Sequence, residues 1–128
     1  RYGTTNKLLF IITHDWNSTA QSRVVSSSEV ADGKWHHVVC AYQPGGSTAD
    51  DRIFMYIDGS RQTSAFGLNN DDSWSNTSYS TVCFTSTSDK VQLGENTAHT
   101  AEKYPGLLDE VRIYSKVLSA DEIKALGR

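Results

Sequence analysis

The chain is poor in cysteine, proline and methionine: its 128 residues include two Cys, two Pro and one Met. Two cysteines cannot build the dense disulfide framework that holds small secreted scaffolds together. A chain of this length can instead fold around one hydrophobic core. We expect Cys40 and Cys83, each inside a strand-like run, to be free and partly buried thiols, with a disulfide between them as the alternative.

The chain also lacks an excess of either charge and any long apolar run. Its 12 Lys and Arg residues are interspersed with 15 Asp and Glu residues, giving a net charge of −3 and no basic stripe. This distribution argues against nucleic acid and anionic membranes as partners. No stretch approaches the ~18 apolar residues of a membrane span, so membrane insertion is not expected. A signal-peptide pattern is also missing, which fits either a mature protein or a module excised from a longer one.

Short strand-like runs separated by turn signals are what the sequence has in abundance. Asp32-Gly33 and Asp58-Gly59 are turn dipeptides, and each adjoins a run rich in β-branched and aromatic residues. Trp35 stands at the head of one such run, and we expect it in the core. The pattern predicts an all-β antiparallel sandwich of about seven or eight short strands. The predicted strands are 8–13, 23–26, 35–42, 52–57, 61–66, 81–85, 91–94 and a closing strand at 110–113.

A short C-terminal helix follows the last predicted strand. Ser119 and Glu122 have the spacing of a capping box, in which each side chain accepts the other residue's backbone N–H. Leu118 and Ile123 flank that cap at the spacing of a hydrophobic staple. Gly127 offers a residue that tolerates a positive φ at the other end. The signals for this helix are therefore complete within about ten residues.

Four segments together resemble one known family. They are DGKWHHVVCAY at 32–42, IFMYIDGS at 53–60, VQLGEN at 91–96 and PGLLDEVRIYSKVLSADEIKAL at 105–126. In that order they are similar to the laminin G-like jelly-roll domains of the concanavalin A-like lectin/glucanase superfamily. The resemblance implies one antiparallel jelly-roll β-sandwich over residues 1–128 with a short C-terminal helix. It also implies a non-catalytic binding or adhesion module of a secreted or cell-surface protein, with carbohydrate as the leading ligand class and extracellular protein as the other.

The start of the chain departs from that family. Its members open with further strands before the stretch that corresponds to 8–13, and this chain begins close to that stretch. A domain without its opening strands would expose a sheet edge, and such an edge invites pairing with another strand. We therefore expect either strand-mediated pairing with a second copy or completion by a neighbouring domain.

Patterns typical of catalysis are missing from the sequence. A retaining glucanase of this superfamily would show E-x-D-x-x-E on one strand, because two carboxylates must flank the scissile bond. Neighbours on a strand point to opposite faces, so adjacent acids do not meet this need, and the rings of His36 and His37 also diverge. The adjacent acid pairs are 50–51, 71–72 and 109–110. We expect no enzyme; the first alternative to a lectin-like module is a structural or assembly module (spacer, appendage or virion component), and a glycan-cleaving enzyme comes last.

The irregular stretch 67–80, GLNNDDSWSNTSYS, is the predicted ligand-binding loop. An aromatic face can pack on the C–H patches of a sugar while amides and carboxylates bind its hydroxyls. The alternative is a solvated loop whose Trp folds back over a sheet edge. The predicted ligand-binding residues are Trp74, Asn70, Asp71, Asp72 and Tyr79, with Trp16 in a separate polar turn.

Asp109 is the candidate metal ligand. In the predicted closing strand it shares a face with Val111 and Ile113, the core side, so its carboxylate needs partners. Backbone N–H groups at the strand entry are one solution, and Ca²⁺ held with loop carbonyls is the other. The family resemblance implies a structural calcium near a sheet rim. Because Ca²⁺ takes ~6–8 oxygens and the sequence suggests one ligand, the hydrogen-bonded role is preferred.

Overall fold

The computed structural model describes residues 6–13, 21–43, 53–62, 91–94 and 103–127, and these form two antiparallel sheets and one helix. The first sheet pairs β1 with β2, and the second has the order β3-β4-β5. This confirms the all-β class at the level of antiparallel sheets, while the jelly-roll order of strands stays a prediction. The elements are β1 (Lys7–Thr13), β2 (Gln21–Glu29), β3 (Val38–Tyr42), β4 (Ile53–Ile57), β5 (Ser60–Arg61) and α1 (Ala120–Leu126).

The first sheet contains a bulge that is filled by a serine side chain. Lys7 pairs with Glu29 and Leu9 with Val25, so β2 spans four residues where β1 spans two. Ser26 lies inside this bulge and is fully buried. Its Oγ accepts the N–H of Leu8 at 3.0 Å and donates to the carbonyl of residue 28 at 2.6 Å. The hydroxyl thus satisfies backbone groups that the interrupted ladder would leave unpaired.

The second sheet turns at Asp58-Gly59, as the sequence predicts. Ile57 pairs with Ser60 across a two-residue loop. Asp58 has φ 51° and Gly59 has φ 74°. Two successive positive φ values mark the type I′ turn, whose twist matches that of the strands on either side. The predicted hairpin is therefore confirmed.

The core lies between the two sheets. Alternate residues of β4 point into the core, as predicted. They pack with Val24 of β2 and with Val30, the residue that follows β2. Phe54 faces the other way, where the guanidinium carbon of Arg61 lies 4.9 Å from its ring centre. The rings of Phe54 and Tyr56 also meet in a T-shaped arrangement, with centroids 6.1 Å apart. Both faces of β4 are thus covered. The core residues are Val24, Val30, Ile53, Met55 and Ile57, with Leu8, Phe10, Ile12 and Tyr42 packed around them.

Gln62 ties the two sheets together by hydrogen bonds. Its Oε1 accepts the Ser27 hydroxyl at 2.8 Å and the Ser28 N–H at 3.1 Å, both on the bulged part of β2. Its own backbone N–H donates to the carbonyl of Met55 at 2.8 Å, and its Nε2 donates to the carbonyl of Ser60 at 3.1 Å. Since Gln62 is buried, these bonds satisfy polar groups that would otherwise be costly to enclose.

Helix α1 begins with the predicted capping box. The Ser119 hydroxyl accepts the N–H of Glu122 at 3.2 Å, and the Glu122 carboxylate accepts the N–H of Ser119 at 2.8 Å. Leu118 and Ile123 are both buried, as expected of a staple. The prediction for Gly127 was wrong in one respect, because its φ is −85° and its N–H donates to the carbonyl of Ile123 in an ordinary helical turn.

The predicted closing strand is the main correction to the sequence analysis. Residues 104–119, all of which the structure describes, contain no strand, and neither do residues 91–94. Val111 and Ile113 are exposed instead of buried, and Glu110 has φ 51°. A left-handed residue interrupts an extended run, and alternation produces a strand only where a neighbour supplies ladder hydrogen bonds. Asp109 is consequently not on a core-facing strand side; it is exposed.

Candidate functional site

The predicted ligand-binding residues lie outside the described part of the chain. Their roles therefore stay predictions, and so does the state of Cys83. Cys40, which the structure does describe, is a free thiol. The residues concerned are Trp16, Asn70, Asp71, Asp72, Trp74 and Tyr79.

Asp109, the candidate calcium ligand, has a local hydrogen-bond partner. Its Oδ1 accepts the N–H of the next residue, Glu110, at 2.7 Å. The hydrogen-bonded role was predicted for a core-facing carboxylate at a strand entry, whereas this carboxylate is exposed, so the role of Asp109 stays a prediction. In the described ranges no group of three His, Cys, Asp or Glu residues is placed to hold a metal ion. A calcium ion at Asp109 would need most of its ~6–8 oxygens from carbonyls or water, and it stays a prediction.

The most structured polar site in the described residues surrounds His36. Its Nδ1 lies 2.7 Å from Oδ2 of Asp58, and its Nε2 lies 2.9 Å from Oδ1 of Asp32. We call these three residues the His36 corner. It joins the loop before β3 to the turn between β4 and β5. The imidazole side chain is 17% exposed, so it is largely enclosed by its two partners and the chain around it.

Local turn chemistry positions both carboxylates of the corner. Oδ1 of Asp32 accepts the N–H of Lys34 at 3.0 Å, which closes a turn around Gly33 at φ 82°. Asp58 sits at the first position of the hairpin turn, where its Oδ1 accepts the N–H of His37 at 2.9 Å. The N–H of Asp58 in turn donates to the carbonyl of His37 at 2.9 Å. Asp58 is therefore fixed by two backbone hydrogen bonds before it meets the imidazole.

The electrostatics of the corner favour a charged imidazole. Only the imidazolium has an N–H on both ring nitrogens, and here both face a carboxylate oxygen. The hydrogen bond to Asp58, followed by that to Asp32, raises the pKa of His36 above 6.5. The hydrogen bond from His36 lowers the pKa of Asp32 to about 2, and the same interaction lowers the pKa of Asp58. An imidazolium engaged on both sides cannot act as a general base.

Trp35 contradicts its predicted place in the core, because it is 68% exposed. The predicted strand begins at Trp35, whereas β3 begins three residues later at Val38. Residues 32–36 belong instead to the loop that the corner fixes. Asp32 is the first residue of the turn dipeptide, and His36 follows it four residues later. This spacing is the signal that could have indicated the loop.

A second exposed feature lies elsewhere in the chain and is aliphatic. The described residues around 91–94 and 107–113 expose large side chains, and the two stretches are neighbours because the Tyr104 N–H donates to the Gly94 carbonyl at 2.7 Å. We call these residues the exposed aliphatic set. In the described ranges no helix has the length and apolar character to cross a bilayer. The set comprises Val91, Leu93, Leu107, Leu108, Val111 and Ile113.

Similarity to other proteins supports the architecture. Residues 1–124 match the Laminin_G_3 family model, described as the concanavalin A-like lectin/glucanases superfamily. None of the curated proteins matches the chain. A solved structure similar to this one is the 2.1 Å crystal structure of residues 221–444 of an S-layer domain-containing protein from Clostridium thermocellum. The two share 22% identity with a TM-score of 0.51, over 95% of this chain and 52% of that chain. This chain therefore spans about half the length of that one, and the likeness is one of fold.

Proposed function

Because this chain belongs to the Laminin_G_3 family of the concanavalin A-like lectin/glucanase superfamily, we propose that it is a non-catalytic recognition module whose ligand is a carbohydrate. The observation that carries the proposal is the exposure of Trp35 beside the His36 corner. The proposed setting is the outside of the cell or its surface, since the matched S-layer domain-containing protein is named for a surface layer.

Trp35 is of the residue type that most often carries binding energy. Trp is enriched among the residues that dominate interfaces, because its large aromatic ring buries much apolar area on binding. Trp35 stands in a loop held by hydrogen bonds on both sides, at Asp32 and at His36. A ring on a fixed loop loses little freedom on binding, which favours affinity.

The polar groups beside Trp35 suit the hydroxyl groups of a sugar. The side chain of Lys34 is 77% exposed and that of Asp32 is 40% exposed, so a donor lies one residue before Trp35 and an acceptor three residues before it. Sugars combine apolar C–H faces with hydroxyls, and this pairing of residue types matches both. The loop around Trp74 remains the second predicted part of the ligand site.

Absence of catalysis is part of the proposal. Laminin G-like domains are generally non-catalytic, although their superfamily includes glycosidases. The sequence lacks the paired acids of a retaining glucanase, and the acid–histidine pairs of the His36 corner bind each other. Incubation of the protein with a panel of polysaccharides should release no reducing sugar; release that increases with protein concentration would contradict this part.

A second candidate is an assembly module that contacts another protein chain. The exposed aliphatic set favours this candidate, because aliphatic side chains pack better against another protein than against a sugar. The S-layer neighbour is compatible with that setting. Under this alternative the partner is a second copy of the chain or a neighbouring domain.

A glycan-array screen of the purified chain tests the two candidates against each other. We expect selective binding by the wild type, and loss of affinity of about tenfold or more in Trp35→Ala. Trp74→Ala runs in parallel, with and without Ca²⁺, to test the predicted loop and the predicted ion. Asp121→Asn, at an exposed position in the first turn of α1, serves as a surface control and should bind as the wild type does.

The array also has an outcome that contradicts the proposal. If folded wild-type protein binds no glycan, carbohydrate recognition fails and the assembly alternative gains. Light scattering then measures the mass in solution: a concentration-dependent increase that Ile113→Asp abolishes supports assembly. Binding that survives Trp35→Ala but not Trp74→Ala would keep the function and move its site to the 67–80 loop.

A further inference from the structure

We propose that the His36 corner is a pH-operated latch, closed while the imidazole is protonated, that holds the 32–36 loop with its exposed Trp35 against the β4–β5 turn. When the imidazole loses its proton, the contact with Asp32 breaks and the loop is released. The proposal concerns the conformation of the loop and does not depend on the identity of any ligand.

The geometry makes the latch depend on one proton. The two ring nitrogens of His36 face Asp58 Oδ2 at 2.7 Å and Asp32 Oδ1 at 2.9 Å. A neutral imidazole keeps a single N–H, so its other nitrogen presents a lone pair to a carboxylate oxygen at hydrogen-bond distance. That arrangement is repulsive, and one of the two contacts must open.

The contact to Asp32 is the one that opens. Asp58 makes the shorter contact and is anchored by two backbone hydrogen bonds with His37, so the neutral tautomer that keeps Nδ1–H on Asp58 disturbs least. Asp32 lies in an exposed turn, where its bonds to Lys34 move with it. Release of the Nε2 contact therefore frees residues 32–35 as a unit.

The other charged groups that the structure describes around the corner do not replace the lost proton. Lys34 Nζ lies 3.4 Å from Oδ2 of Asp32 and belongs to the same loop, so it moves with its partner. The His37 ring also acts on Asp58, but it does not bridge to Asp32. From α1, Lys124 packs against Gly59 of the turn by its Cγ. The imidazolium is thus the one cation in the described residues that joins both carboxylates.

The sign of the pH dependence follows from these contacts. His36 has a pKa raised above 6.5, so the latch is closed below about pH 6.5 and opens as the pH increases through that raised value. The carboxylates have lowered pKa values, about 2 for Asp32, so their contribution is present above the ordinary value of 3.8 and is lost as the pH decreases below it. The latch is therefore closed from about pH 3.8, the ordinary carboxyl pKa, up to the raised pKa of His36.

NMR titration of the whole chain tests the latch. The His36 ring nitrogens and the Trp35 indole N–H are followed from pH 4 to pH 9, with Trp35→Phe assigning the indole signal. We expect His36 to titrate above pH 6.5, and the indole and the Gly33 amide to shift with the same midpoint. The protection of the 32–35 amides against hydrogen exchange, measured relative to the base-catalysed rate of an unstructured peptide at the same pH, should decrease above that midpoint.

Variants separate the latch from an ordinary surface histidine. Asp32→Asn should lower the His36 midpoint and remove the pH response of Trp35, while the matched surface change Asp121→Asn, at an exposed position of α1, should leave both unchanged. A wild-type His36 midpoint at or below 6.5, or Trp35 and Gly33 signals that ignore it, would overturn the proposal. Since the wild-type titration decides this alone, a poorly folded variant does not prevent the test.

Discussion

Two runs of alternating residues in this chain have the same period and opposite outcomes. In β4, Ile53, Met55 and Ile57 are buried and form the centre of the core. Near the C-terminus, Val111 and Ile113 are spaced in the same way, but they are exposed. The contrast shows that alternation predicts which residues share a face and leaves open whether anything covers that face.

The neighbours of each run explain the difference. β4 pairs with β3 on one side and β5 on the other, and the first sheet packs over its inner face. The segment around Val111 follows Glu110 at φ 51°, and the structure assigns it to no strand. A strand gains its stability from cross-strand pairs, so a run without them does not hold an extended, covered form.

Helix α1 lies directly after the exposed run and forms as predicted. Its capping box uses residues three apart, and Lys124 of the helix lies against Gly59 of the β4–β5 turn. Local hydrogen bonds between close neighbours do not require a distant partner. The helix and the lost strand thus differ in how far away their partners must lie.

The largest expected effect tests the contrast with one substitution in each run. Ile53→Ala removes a side chain that is 1% exposed and should destabilise the fold by ~2–5 kcal/mol, because it leaves a cavity in the core. Ile113→Ala removes one that is 80% exposed and should change the free energy of unfolding by less than about 0.5 kcal/mol. Urea denaturation followed by circular dichroism measures both.

Equal destabilisation by the two isoleucine substitutions would break the contrast. It would mean that the closing run is covered in solution by another element. Unfolding of Ile113→Ala at two protein concentrations would then show whether that cover is a second copy, because only dimer stability depends on concentration.

The next effect concerns the polar interior of the well-packed half. Ser26→Ala leaves the Leu8 N–H and a backbone carbonyl in the bulge without their partner, so we expect a loss of ~1–3 kcal/mol. Ser28→Ala, at an exposed position in the same strand, is the control and should cost less than about 0.5 kcal/mol. If both variants unfold at the same urea concentration as the wild type, water must satisfy the bulge instead.

The smallest effect sharpens the local half of the contrast. Ser119→Ala removes the hydroxyl that accepts the Glu122 N–H, and it should destabilise the fold by ~1 kcal/mol, the usual value of an N-cap. Glu122→Gln keeps an acceptor for the Ser119 N–H but loses the charge paired with Lys116 at 2.6 Å. Thermal melts at low and high salt distinguish the two.

The melts of Ser119→Ala and Glu122→Gln should respond differently to salt and pH. Salt should reduce the difference between Glu122→Gln and the wild type, since it screens an exposed ion pair, and should leave the Ser119→Ala effect in place. The hydrogen bond from Lys116 is the largest cause of the lowered pKa of Glu122, which is about 2. The stabilisation from the Glu122–Lys116 pair is therefore complete above pH 4.5, the ordinary pKa, and is lost as the pH decreases from there through about 2. A Ser119→Ala melt equal to that of the wild type would show that the cap does not stabilise the fold.

The candidate site was only partly predictable from the sequence. The Asp58-Gly59 turn was predicted correctly because two successive positive φ values select these residue types. Trp35 was placed wrongly, since an apolar run following a turn reads as a strand from its first residue. The corner itself was not predicted: a contact between His36 and Asp58 depends on how two strands pair, and sequence spacing carries no information about that.

The sequence by itself determined the features that close within a few residues: the two-residue hairpin, the capping box, the Asp32 turn and the faces of β4. Only the tertiary structure decided which apolar faces are covered and which polar groups meet. Backbone preference and short hydrogen bonds act between near neighbours, so a linear pattern records them. Burial depends on elements brought together from distant parts of the chain, so two runs of the same period can become a core strand and an exposed loop.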